Sequence, residues 1–162
     1  MSTVSKVDES TLPSALQRGL QAVRERALPD ALVVAIEDNH VIIAIGTMTK
    51  ASTRIGDPTI GDADLPDAYV ENQTGLFARV SRTYPNADSY GVITVPFLTR
   101  IDGKPIEWQH RNNANAASAM AALGRSDAGF WSWNWTGAPQ RVPEDLVAVV
   151  EWARRCVREG AK

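Results

Sequence analysis

The sequence predicts an α+β domain built on an antiparallel sheet, with a helix towards each end of the chain. Three observations predict it. Two runs rich in β-branched residues, 31–36 (ALVVAI) and 41–48 (VIIAIGTM), flank Glu37-Asp38-Asn39-His40, and together they read as a hairpin. Two more extended segments, 76–83 and 91–98, follow in the middle of the chain. Helical spacing of apolar residues is confined to the segments before and after these strands, the order that suits α+β.

Each element has a local reason. Residues 1–9 are polar and are expected to be disordered. Ser10 or Thr11 is suited to cap a first helix with Pro13 in its first turn, and Leu16, Leu20, Val23 and Ala27 then recur at helical spacing. Leu28-Pro29-Asp30 ends that helix, because proline disfavours helical geometry in the residue before it. Residues 50–75 hold Gly, Pro, Asp and Thr and predict a long loop with a short helical turn. Residues 76–83 alternate apolar and polar, and Tyr84-Pro85-Asn86 breaks the ladder. Pro96 inside 91–98 predicts an edge position or a bulge, and Asp102-Gly103 signals a turn.

The Ala-rich segment 113–123 predicts a short helix stopped by Gly124. Residues 124–141 read as irregular and carry Trp131, Trp133 and Trp135. The last helix is expected to start at Pro143, with Glu144 and Asp145 where the helix dipole favours negative charge. Its apolar stripe is Leu146, Val149, Val150, Ala153 and Val157.

A chain of 162 residues with 44% apolar and 22% charged side chains has the composition of one globular domain, assigned to 10–162. A formal net charge of −2 gives no general pull towards nucleic acid or an anionic membrane, so neither is expected as a partner. Arg154, Arg155 and Arg158 fit a solvated helix face. No apolar run approaches the ~20 residues of a membrane span, and the polar first ten residues lack a signal-peptide core, which predicts a cytoplasmic protein. The single cysteine, Cys156, rules out an internal disulfide, and with His40 and His110 far apart in sequence no metal is expected.

Generic catalytic motifs are missing: there is no phosphate-binding Gly-rich loop, no paired-histidine helix and no Gly-x-Ser-x-Gly elbow, so no cofactor is implied. The carboxylate pairs Asp62/Asp64 and Glu144/Asp145 read as solvated or capping groups. Cys156, near the apolar stripe of the last helix, reads as a buried, inert thiol. In an extended segment Trp131, Trp133 and Trp135 would share one face, as core packing or as an aromatic interface.

The order of these elements resembles the ubiquitin-conjugating-enzyme (UBC) fold, and in particular its divergent bacterial relatives. The residues carrying the resemblance are Tyr84-Pro85 after the third strand, Pro96 in the fourth, a long irregular stretch, then tryptophan, then Val142-Pro143-Glu144-Asp145-Leu146 at the last helix start. It implies an N-terminal helix, a four-stranded antiparallel meander, a loop-rich active-site region and a C-terminal helix. It departs where chemistry is done. His110-Arg111-Asn112 has arginine where the family has proline, and the window that holds the family's cysteine holds Ser126, in Gly124-Arg125-Ser126-Asp127.

The resemblance implies a ubiquitin-like protein and an adenylating activating enzyme as partners. On that reading Ser126 would carry the modifier as an oxyester, with His110 or Asp127 as base and Asn113 or Asn134 hydrogen-bonding the oxyanion. A serine hydroxyl needs a neighbouring base, unlike a cysteine that is partly thiolate near neutral pH. Three readings of Ser126 stand open: a nucleophile, a remnant in an inactive binding module, or an ordinary loop serine. An unrelated α+β interaction protein using its tryptophan face is the remaining alternative.

Overall fold

The structure is a computed structural model that describes residues 7–59, 61–87, 90–134 and 141–162, the side chains of 90, 133 and 134 excepted. Three α-helices, α1 (Ser14–Arg26), α2 (Ala114–Leu123) and α3 (Leu146–Gly160), enclose one sheet. Its strands are β1 (Leu32–Ile36), β2 (His40–Thr49), β3 (Asp62–Asp64), β4 (Gln73–Ser81), β5 (Tyr90–Val95), β6 (Gln109–His110) and β7 (Gly129–Asn134). The path runs β1-β2-β4-β5-β7-β6, with β3 paired to β2 off that path. Every pairing is antiparallel except the short parallel contact of β2 with β3. The described sheet therefore has seven strands rather than the expected four. The meander β1-β2-β4-β5 is within it, and β3 and β6 are too short to leave a periodic signal.

Period-two alternation divides the core between the two faces of the sheet. Val41, Ile43, Ala78, Val80, Val92 and Trp131 face α1 and α3, and join Leu16, Leu20, Val23, Val149, Ala153 and Val157. Ile42, Ile93 and Phe130 face the other way and pack with Ala116 and Ala119 of α2. The domain is thus three layers, helix pair, sheet and single helix. Because both faces of β2 are covered, it reads as a nearly continuous apolar run. β2 bulges between Ala44 and Gly46, where φ is +118° and a Cβ would stand 2.0 Å from the Gly61 carbonyl oxygen, so glycine is required.

Several expectations change in detail. Neither Ser10 nor Thr11 caps α1. Asp8 caps a short 3-10 turn over Glu9–Thr11, and α1 starts after Pro13. Of the segment expected to be disordered, 1–6 lie outside the described residues, while Glu9 is held by Arg24 at 2.5 Å. Ala27 is the exposed C-terminal cap of α1, and Ala22 is buried in its place. The 50–75 loop contains β3 and a 3-10 turn, fastened by Arg54 to Asp62 (2.9 Å) and to Asp64. Pro96 does not mark an edge strand. β5 lies between β4 and β7 and ends at Val95, one residue before the proline, so the missing N–H falls outside the ladder.

The stretch 124–141 is not wholly irregular, because β7 crosses it. Trp131 is fully buried there and its indole N–H donates to Thr94 Oγ1 at 2.8 Å. The side chain of Trp133 and all of Trp135 lie outside the described residues. Asp145 accepts hydrogen bonds from the backbone of Arg141 and Val142, capping the turn that leads into α3. Arg100 closes the other end of α3, donating to the carbonyls of Gly160 and Lys162. Among the described residues no helix is long and apolar enough to cross a membrane.

Candidate functional site

Of the residues singled out by sequence, His110 and Asn113 lie just before α2 and Ser126 and Asp127 just after it, while Asn134 ends β7. Asn113 caps α2, its Oδ1 accepting from the Ala116 N–H at 2.8 Å. The helix ends where Gly124 turns left-handed (φ +66°) and Arg125 N bonds back to the Met120 carbonyl, an αL stop that needs no side chain. Ser126 follows at the surface, exposed on the loop into β7. The loop is anchored at its far side, where Phe97 N donates to the Asp127 carbonyl at 2.6 Å.

An open depression borders this loop. Arg111, Asn112, Ala117, Met120, Arg125 and Ser126 line it. A second depression, containing Phe97, His110 and Asn113, adjoins it through the shared Arg111 and Asn112. The guanidinium of Arg111 lies 3.9 Å from the centre of the Phe97 ring, a cation–π contact that holds it at the mouth of both. His110, Arg111, Asn112 and Ser126 therefore line adjoining parts of one surface region.

The partners that Ser126 would need are engaged elsewhere. Asp127 is held in a two-pronged ion pair by Arg125, with contacts of 3.0 and 2.8 Å. That hydrogen-bonded guanidinium holds the Asp127 carboxyl below the usual carboxylate range, away from the near-neutral value that suits a general base. His110 Nε2 lies 2.7 Å from Ser132 Oγ, on the neighbouring strand. Asn113 uses its carbonyl oxygen as a helix cap. Asn134 ends β7 opposite Tyr90, and its side chain is outside the described residues. Cys156 is fully buried on α3, and burial pushes its thiol far up, so it stays protonated at neutral pH.

Three contacts escaped the sequence reading. Ser132 and its bond to His110 depend on β6, a two-residue strand with no periodicity of its own. Phe97 under Arg111 depends on the chain turning sharply after β5. Gln109 is buried and locks the 96–98 segment, exchanging two hydrogen bonds with the backbone of Leu98 at 2.8 and 2.7 Å. A hint for Ser132 did exist, since a serine between two tryptophans of one extended face must point to the opposite side of the sheet. The chain matches no protein-family model, no curated protein and no solved structure.

Proposed function

We propose that this protein is a UBC-like binding module of a cytoplasmic ubiquitin-like modification pathway, docking a ubiquitin-like protein or its adenylating activating enzyme without carrying the modifier on Ser126. The element order supports the UBC-like part: helix, antiparallel strands, Tyr84-Pro85 after β4, Pro96 after β5, and a closing helix. The observation that carries the non-carrier part is the engagement of both bases, Asp127 by Arg125 and His110 by Ser132. A hydroxyl without a base stays protonated and a weak nucleophile. Ser126 is exposed, and that one observation favours the second reading, a serine-oxyester conjugating enzyme.

The two readings separate in one experiment. The protein is mixed with a ubiquitin-like protein, its adenylating enzyme and ATP, then followed by size-exclusion chromatography and denaturing electrophoresis. Co-elution without a covalent product is the expected outcome. A reductant-resistant, hydroxide-labile adduct that disappears in Ser126→Ala would establish the oxyester reading. Absence of both association and adduct would remove the pathway assignment altogether.

A further inference from the structure

β6 pairs with β7 so that His110 stands opposite Phe130. Residues facing each other across an antiparallel pair share a side of the sheet, and Ser132, two residues beyond Phe130, shares it too. This puts the His110 imidazole beside the Ser132 hydroxyl, at 2.7 Å from Nε2 to Oγ. The backbone fixes the approach: Ser132 N donates to the Trp108 carbonyl at 2.8 Å, and Gln109 N donates to the Ile106 carbonyl at 3.1 Å. Both residues are half-buried, and the other acceptor near the Ser132 hydroxyl, the Trp108 carbonyl, is farther away at 3.5 Å. His110 also lines the surface depression that holds Arg111 and Asn112. A serine within hydrogen-bond reach of an imidazole is the minimal arrangement that makes a hydroxyl nucleophilic.

We propose that Ser132 and His110 form a nucleophile–base pair that accepts acyl groups from activated esters. Ser132 Oγ attacks the acyl carbonyl carbon while its proton passes to His110 Nε2. The tetrahedral intermediate collapses, the bond to the leaving alcohol breaks, and that alcohol takes the proton back from the imidazolium. Water then cleaves the acyl-serine by the same route, giving the free acid and restoring the serine. Arg111 and Asn112 line the depression together with His110, the member of the pair that reaches it. Among the described residues no carboxylate is hydrogen-bonded to His110, so the pair acts as a dyad. The activity goes beyond the binding function proposed above and requires neither a ubiquitin-like protein nor an activating enzyme.

The test uses the full chain and a fluorophosphonate probe, which phosphonylates an activated serine with loss of fluoride. Intact-mass analysis is expected to show one label, mapped by peptide sequencing to Ser132. His110→Gln is expected to slow labelling about 10²–10⁴-fold, the span of general-base contributions. Ser132→Ala is expected to take no label. Wild-type protein that takes no label, or takes it on another residue, overturns the proposal, as does a His110→Gln variant that labels at the wild-type rate. If Ser132→Ala does not fold, the wild-type peptide map and the His110→Gln labelling rate decide the question. Because the probe reaction contains no pathway component, its failure leaves the binding assignment untouched.

Discussion

Arg79 and Glu37 form a two-pronged ion pair beneath α2, Nε to Oε2 at 2.8 Å and Nη2 to Oε1 at 2.9 Å, with side chains only 5% and 7% exposed. α2 is fastened to this pair by polar contacts: Ser118 Oγ donates to Glu37 at 2.5 Å, and Arg79 donates to Asn115 Oδ1 at 3.2 Å. The helix carries no charged residue of its own and only Ala116 and Ala119 are fully buried, so these contacts weigh heavily in its attachment. Arg79 also lies over the ring of Phe130, 5.5 Å from its centroid.

Removing one partner of this pair leaves the other charge buried and uncompensated. Glu37→Gln or Arg79→Met is therefore expected to lower stability by about 3–5 kcal/mol. The double variant Glu37→Leu with Arg79→Met is expected to recover much of that loss, since no bare charge remains. Urea unfolding midpoints at fixed pH measure both. Single variants as stable as wild type would show that the pair is hydrated in solution.

The same cluster makes stability depend on pH. Burial, then the charge of Arg79, holds the His40 imidazole below its ordinary value. Burial alone would raise the Glu37 carboxyl, but the hydrogen bonds from Arg79 and Ser118 outweigh it and hold that group below the usual range. Both groups bind protons less readily in the folded state, so their contributions are fully present above the unfolded values and are lost as pH falls through the folded ones. Stability is expected to start declining below about pH 6.5 through His40, and to decline again below about pH 4.5 through Glu37. Denaturant titrations from pH 8 to pH 4 measure this, and His40→Gln should flatten the upper part of the curve.

Trp131 joins the sheet to α3 and Thr94. A Cβ on Gly160 would stand 2.7 Å from the Trp131 ring, so helix and indole are in close contact. Trp131→Ala is expected to lose about 3–5 kcal/mol through the cavity it opens. Thr94→Val leaves the indole N–H buried without its acceptor and is expected to lose about 1–3 kcal/mol. Thermal unfolding followed by circular dichroism checks the order of the two losses.

Cys156 is expected to be dispensable for binding. Its thiol is enclosed by the core and held protonated by burial, so Ellman's reagent should react only after denaturation. Cys156→Ala removes a small buried group, with an expected loss of ~1 kcal/mol. A native protein that reacts rapidly with the reagent would contradict this burial.

Elements with strong local signals were legible in the chain itself. The β-branched runs of β1 and β2, the stripe on α3 and the Gly124 stop after α2 each follow from residue spacing or backbone chemistry, and each lies close to its expected position. Signals that depend on partners distant in the chain were not legible there. β3 and β6 exist only because β2 and β7 offer them hydrogen-bonding edges, and a strand of two or three residues has no period to read. The site followed the same rule. Sequence placed Ser126 on a surface loop and His110 near α2, but which hydroxyl the imidazole meets was decided by the β6–β7 register, which brings Ser132 to it. Asp127, expected as a possible base for Ser126, is instead paired with Arg125. Helix and turn propensities act over a few neighbouring residues, whereas a base and its nucleophile are joined by strand pairing across the fold, and only the tertiary structure sets that.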